Sequence, residues 1–173
     1  KYAEVTEDEV FLKQEGAEML VETARLWRDL GFYSENKGGR FCIAGVTGPN
    51  EYNTVVNNNT FTNLMARENL WFAASTVKNL YEQRPDLFSD LALKTGVELS
   101  EVEEWKNTAD RMYLPLDEKL GIHVQDDAFL EKKPWDLKNT PVEKYPLLLH
   151  YHPLVIYRHQ VIKQADVILA MFL

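Results

Sequence analysis

The sequence predicts an all-α chain interrupted by long loops and a few short strands, an expectation that three observations carry. Apolar residues recur at three- and four-residue spacing in segments ending near Leu30, opening near Asn59 and running from Tyr157 to Leu173. Helix punctuation brackets such segments: Gly31, Arg84-Pro85 and Gly96 all stand where a helical period stops. Between Tyr113 and Lys144 the period is lost and Pro115, Pro134 and Pro141 intervene, which predicts a long excursion with short extended pieces.

Taken in order, Thr6-Glu7-Asp8-Glu9 reads as a capping box, with acids favoured at the positive end of a helix. Leu12, Gly16, Met19, Leu20, Thr23, Leu26, Trp27 and Leu30 then mark one face of a long helix, with Trp27 as a core aromatic. After a turn-rich connection, Arg40-Phe41-Cys42-Ile43-Ala44 reads as a short strand or extended entry into the following loop. Asn59 or a neighbour starts a second long helix carrying Leu64, Met65, Leu70, Trp71, Ala74, Val77, Leu80 and Tyr81. Proline pushes the residue before it out of helical geometry, so that helix ends at Arg84. A shorter helix follows from Pro85 to about Lys94. Ser100-Glu101-Val102-Glu103 then reads as a second capping box, opening a helix through Trp105 to about Met112. The acids Glu98, Glu101, Glu103 and Glu104 fit helix first-turn positions and a solvated face better than a metal site.

Further on, residues 121–126 suggest a brief strand. Asp126-Asp127 is either a turn pair, the favoured reading, or a second catalytic carboxylate. His150 and His152 lie two positions apart, on one face if the segment is a strand, and read as structural or substrate-facing rather than as metal ligands. Asn58-Asn59-Thr60 fits a glycosylation sequon, read as chance. In the last helical segment Lys163 and Gln164 read, by composition alone, as surface residues.

The 173 residues, 45% hydrophobic, suffice for one sizeable core. A formal charge of -8 argues against nucleic acid or an anionic membrane surface as partner, since both need a basic face. The single cysteine, Cys42, forms no intrachain disulfide, suits a reducing cytoplasm and is expected as a small buried residue. No signal peptide or transmembrane run is visible. Lys1 is not an initiator methionine and Leu173 lies inside an apolar helical pattern, so a segment of a longer polypeptide is expected.

The chain is organised around Gly45-Val46-Thr47-Gly48-Pro49-Asn50-Glu51-Tyr52 and the run Asn57-Asn58-Asn59-Thr60-Phe61-Thr62-Asn63. Gly48-Pro49-Asn50 is turn chemistry, glycine for positive φ and proline for the next position. Glu51 stands at the end of this turn beside an aromatic ring. It is either an ordinary loop carboxylate or a general acid held protonated by a crowded, partly apolar setting.

These two strings closely resemble the catalytic loop of glycoside hydrolase family 65, the maltose phosphorylase type, and Lys163-Gln164-Ala165-Asp166-Val167 resembles the family's second signature. The resemblance implies that Glu51 is the acid that protonates the glycosidic oxygen. It implies that Lys163 and Gln164 hydrogen-bond hydroxyls of the sugar whose anomeric carbon reacts, and it leaves Tyr52 as an acceptor-side contact or a loop anchor. For the fold it implies that residues 1–173 cover about the middle of a single (α/α)6-barrel catalytic domain. The implied reaction is inverting phosphorolysis of an α-glucoside to β-glucose 1-phosphate and a free sugar. The implied partners are a disaccharide and inorganic phosphate in a homodimeric parent, with no metal or other cofactor. Phosphate is already anionic, so one acid suffices where glycoside hydrolysis needs two carboxylates. An acid-trehalase-type hydrolase, and a fragment inactive by itself, are the other readings. Asn53-Thr54-Val55-Val56 stand where some relatives carry a histidine and an acid, leaving maltose, kojibiose, nigerose and trehalose open as substrates.

Overall fold

The computed structural model describes residues 5, 6, 8–11 and 15–172, the side chain of residue 9 excepted. The expected first capping box includes Glu7, which lies outside the described residues, as do Leu12 and both chain ends. The chain divides into two compact units, residues 1–41 with 66–112 and residues 42–65 with 113–173.

In the first unit, α1 (Ala17–Leu30) packs against α3 (Pro85–Thr95) and α4 (Leu99–Asp110). The buried line of α1 is Ala17, Val21 and Ala24 rather than the larger residues of the expected stripe. Met19, Leu26 and Leu30 are exposed and Trp27 is half-buried. Small side chains let neighbouring helices approach closely, and positions 17, 21 and 24 share one helical face. Arg25 fixes the packing by donating from Nε and Nη2 to both oxygens of Glu101, at 2.8 and 2.9 Å, and from Nη1 to the Thr95 carbonyl. Arg28 similarly holds Glu104. Two members of the acidic cluster are thus partners of arginines on α1. The second capping box exists but is shifted: Glu98 is the N-cap and Glu101 its return partner, so α4 opens before Ser100. Gly96 ends α3 in the left-handed region at φ 67°, which favours glycine.

The helix α2 (Thr60–Gln83) follows the expected boundaries. Within the first unit it buries Ala66, Leu70, Ala73, Ala74, Val77 and Leu80. Two short strands, β1 (Gly31–Ser34) and β2 (Arg40–Ile43), pair with each other; Cys42 in β2 is buried, as expected.

The second unit has little regular structure. β3 (Leu116–Asp117) and β4 (Ile122–His123) pair antiparallel, the latter where a brief strand is expected. β5 (Lys133–Pro134) pairs in parallel with β6 (His159–Gln160). The core of this unit is Tyr52, Leu147, Ile156 and Val161, covered by Trp135, Tyr151 and Tyr157. The expected helix from Tyr157 to Leu173 is broken into α5 (Pro153–Tyr157), β6 and α6 (Asp166–Phe172). Side-chain bonds override the apolar period here: Gln160 Nε2 donates to the carbonyls of Leu130 and Lys132, and the Lys163 N–H goes to Asn50 Oδ1. His150 and His152 do not share a strand face. His152 caps α5, its Nδ1 accepting from the Leu154 N–H at 3.2 Å. No described helix is long and apolar enough to cross a membrane.

Candidate active site

The loop bearing Glu51 is closed at its base and braced from behind. Val46 and Val56 exchange both backbone hydrogen bonds at 2.9 Å, pinning residues 46–56 as one unit. Asn57 Oδ1 accepts from the Gly45 N–H at 3.0 Å. Behind the loop a set of buried amides replaces ordinary core packing. Asn58, in the left-handed region at φ 52°, accepts from the Ile43 N–H and donates to Asp127 Oδ2. Asn59 is the N-cap of α2, its Oδ1 accepting from Thr62 N–H and hydroxyl at 3.0 and 3.1 Å. Asn63 donates to the Tyr113 carbonyl at 2.7 Å. The asparagine run thus supplies capping and bridging amides, as its composition suggests.

Asp166 ties these pieces together and was not singled out by sequence reasoning. Its carboxylate is buried, accepts from Asn59 Nδ2 at 3.0 Å and from the Asn50 N–H, and opens α6. Gly48 lies directly against it. A Cβ on Gly48 would come within 2.6 Å of Asn59 Oδ1 and equally close to Asp166 Oδ2. Gly48 is therefore required for space; the left-handed turn glycine of this loop is Gly45, at φ 69°. Asn50, also buried, accepts on Oδ1 from the N–H groups of Tyr52 and Lys163. One side chain thereby sets the separation of the two segments that carry the expected site residues.

Those residues meet although they are more than a hundred positions apart. Lys163 Nζ lies 2.5 Å from Glu51 Oε2, Gln164 Nε2 donates to Glu51 Oε1 at 2.8 Å, and Gln164 Oε1 accepts from the Glu51 N–H at 2.9 Å. Lys163 and Gln164 occupy the bend before α6 and not a helix, which turns both toward the loop. The expectation of a crowded, apolar, proton-holding setting for Glu51 is corrected. Its side chain is 51% exposed, and hydrogen bonds from Lys163 and then Gln164 hold its carboxyl below the ordinary range, so the group is ionised in this arrangement. Tyr52 is buried; its hydroxyl accepts from the Leu147 N–H at 2.9 Å and its ring joins the core of the unit. Of the two roles open to Tyr52, this geometry supports the anchor.

Asp126 adopts the turn role. Its Oδ1 accepts from the Ala128 N–H at 3.0 Å and its side chain is buried away from water. Burial pushes its carboxyl above the ordinary range. A carboxyl raised on folding is penalised while it is ionised, at pH above its folded value. The penalty disappears as pH falls through that value toward the unfolded one. Asp126→Asn keeps the acceptor for Ala128 and removes the charge. It should therefore stabilise the protein at pH 7, by on the order of 1 kcal/mol, and by less near pH 4. Denaturant midpoints of variant and wild type at the two pH values check this; a gain independent of pH would contradict it. Nearby, Asn53, Thr54, Val55 and Val56, with Asp127, Lys132 and Tyr157, line an open cleft of about 250 Å³.

A profile of the glycosyl hydrolase family 65 central catalytic domain matches residues 1–173. The chain belongs to glycosyl hydrolase family 65. It is 54% identical to an α,α-trehalose phosphorylase of Geobacillus stearothermophilus over 100% of this chain and 22% of that protein. It is 34% identical to a maltose phosphorylase of Bacillus subtilis over 99% of this chain and 22% of that one. A solved structure from the human microbiome, provisionally named a kojibiose phosphorylase, superposes with a TM-score of 0.81 at 28% identity, over 96% of this chain and 22% of that one. The chain thus spans about a fifth of the length of these family 65 proteins. Its all-α class with short strands is that of part of the family's (α/α)6 barrel.

Proposed function

We propose that the full-length parent is an inverting disaccharide phosphorylase that cleaves an α-glucosidic bond with inorganic phosphate, and that α,α-trehalose is its substrate. The observation that carries the reading is the convergence of Lys163 and Gln164 on Glu51. An acid and two oriented hydrogen-bonding side chains at one point suit a sugar whose exocyclic oxygen must be protonated while its ring hydroxyls are held. Glu51 gives its proton to the glycosidic oxygen as the C1–O bond breaks. Phosphate bonds to C1 from the opposite face, and the products are β-glucose 1-phosphate and free sugar. Trehalose is preferred to maltose because the similarity to a trehalose phosphorylase, 54%, exceeds that to a maltose phosphorylase, 34%.

The test is release of glucose 1-phosphate by the full-length parent from trehalose, maltose, kojibiose and nigerose, each with and without phosphate. Strictly phosphate-dependent release from trehalose is expected. Phosphate-dependent release from another of the four would correct the substrate alone, whereas free glucose formed without phosphate would overturn phosphorolysis. Lys163→Ala should raise KM for the disaccharide about tenfold, the range of one charge-assisted hydrogen bond. Steady-state kinetics at saturating phosphate check this, and an unchanged KM would remove Lys163 from sugar recognition.

A further inference from the structure

Glu51 presents a conflict that the fold itself poses. A general acid must carry a proton when its substrate is bound, yet in this arrangement both carboxylate oxygens accept hydrogen bonds, one from an ammonium group. Among the described residues the charged group in contact with Glu51 is Lys163; its other partner is the neutral Gln164. On its own loop the neighbouring side chains are uncharged: Asn50 is engaged with two backbone N–H groups, and the Tyr52 hydroxyl with Leu147. Lys163 and Gln164 are therefore the groups that set the proton on Glu51. Both are also built to let go. Lys163 is 40% exposed on its side chain, has four rotatable methylene bonds and touches the carboxylate only through Nζ. Its backbone is fixed independently by Asn50, so its side chain can change partner without moving the loop. Gln164 differs in that its own amide also accepts, on Oε1, from the Glu51 N–H, a bond that can serve as the pivot about which Nε2 leaves the carboxylate.

We propose, resting on the phosphorolytic reading above, that Lys163 with Gln164 forms a proton gate on Glu51. Hydroxyls of the bound glucosyl unit take over these two side chains, the released carboxylate takes up one proton from solvent, and the acid exists only in the occupied site. The balance closes: one proton enters with the sugar, and that proton later leaves on the glycosidic oxygen. The lowered proton affinity of Glu51 in the free arrangement is consistent with the exchange. An empty site then holds an ionised carboxylate and no acid, while sugar binding itself supplies the catalytic form. Lys163 thus gains a catalytic role beyond grip, since it touches the reacting group in one state and the sugar in the other.

The experiment uses the full-length parent without phosphate, so that binding occurs without turnover. Calorimetric titration with trehalose, or with whichever of the four disaccharides the parent cleaves, in two buffers of different ionisation enthalpy at pH 6.5 counts protons taken up per sugar. About one is expected for wild type and near zero for Glu51→Gln. A crystal structure of the same complex should show Lys163 Nζ on a sugar hydroxyl and more than about 4 Å from Glu51. Sugar binding with no proton uptake, or an ion pair still closed in the occupied site, would overturn the gate. If Glu51→Gln also abolishes turnover, the acid assignment survives that result. Full turnover in Glu51→Gln would instead strike down the underlying reading, so the two failures are distinguishable.

Discussion

Glu51→Gln in the full-length parent is expected to lower kcat on its disaccharide by about 10² to 10⁴, the range of a positioned general acid. The amide has the size and shape of the carboxylic acid and can still accept from Gln164, but it has no acidic proton to give. The side chain is half exposed and supports no core contact, so the thermal midpoint should move little. Steady-state kinetics alongside a melting curve separate the two effects. An α-glucosyl fluoride attacked by phosphate, whose leaving group needs no protonation, should recover much of the rate in this variant. Near-normal turnover of the natural disaccharide would remove Glu51 from the chemistry.

Gly48→Ala should be nearly as damaging for a different reason. The added methyl meets Asn59 and Asp166, two buried groups already bonded to each other, so neither can swing aside without losing a partner. Overpacking of this kind typically costs about 1–3 kcal/mol. The larger effect is on geometry: Pro49, Asn50 and Glu51 follow immediately, and displacing a reacting group by about 1 Å can cost on the order of a hundredfold in rate. The expected result is a lower melting temperature together with a kcat reduced at least tenfold in the fraction that remains folded. An alanine variant with wild-type kcat would show that the turn does not position the acid.

The long helix α2 was legible because its signals are local. Asn59 as N-cap, the apolar period and Arg84-Pro85 together bracket α2 without reference to any distant residue. The face that α1 buries was less legible, since hydrophobicity points to Met19, Leu26 and Leu30 while close helix packing selects Ala17, Val21 and Ala24. The last segment misled for a related reason. Residues 157–173 have a helical period, but the chain there is held by strand pairing with Lys133–Pro134, by the Leu130 and Lys132 carbonyls that Gln160 bonds and by the Asn50 side chain, partners that no window over that segment contains. The contact of Glu51 with Lys163 and Gln164 is invisible to spacing; the family resemblance implied only that the three act on the same sugar, not that they bond one another. Asp166 had one available signal, an acid between Ala165 and Val167 in an otherwise apolar stretch, which asks what partner a carboxylate would have there.

The reciprocal bond pair between Val46 and Val56 has a bearing on how such a protein diversifies. It isolates the segment after Tyr52 as a small bulge whose two ends are already fastened, one by the Tyr52 hydroxyl on Leu147 and the other by Val56 itself. Thr54 and Val55 project to the outside of that bulge, Val55 with 69% of its surface free. Changes at these two positions can alter the lining of the neighbouring cleft while Glu51, Lys163 and the buried amides behind them stay in register. Sequence can accordingly vary at the tip of this segment without disturbing the geometry around Glu51.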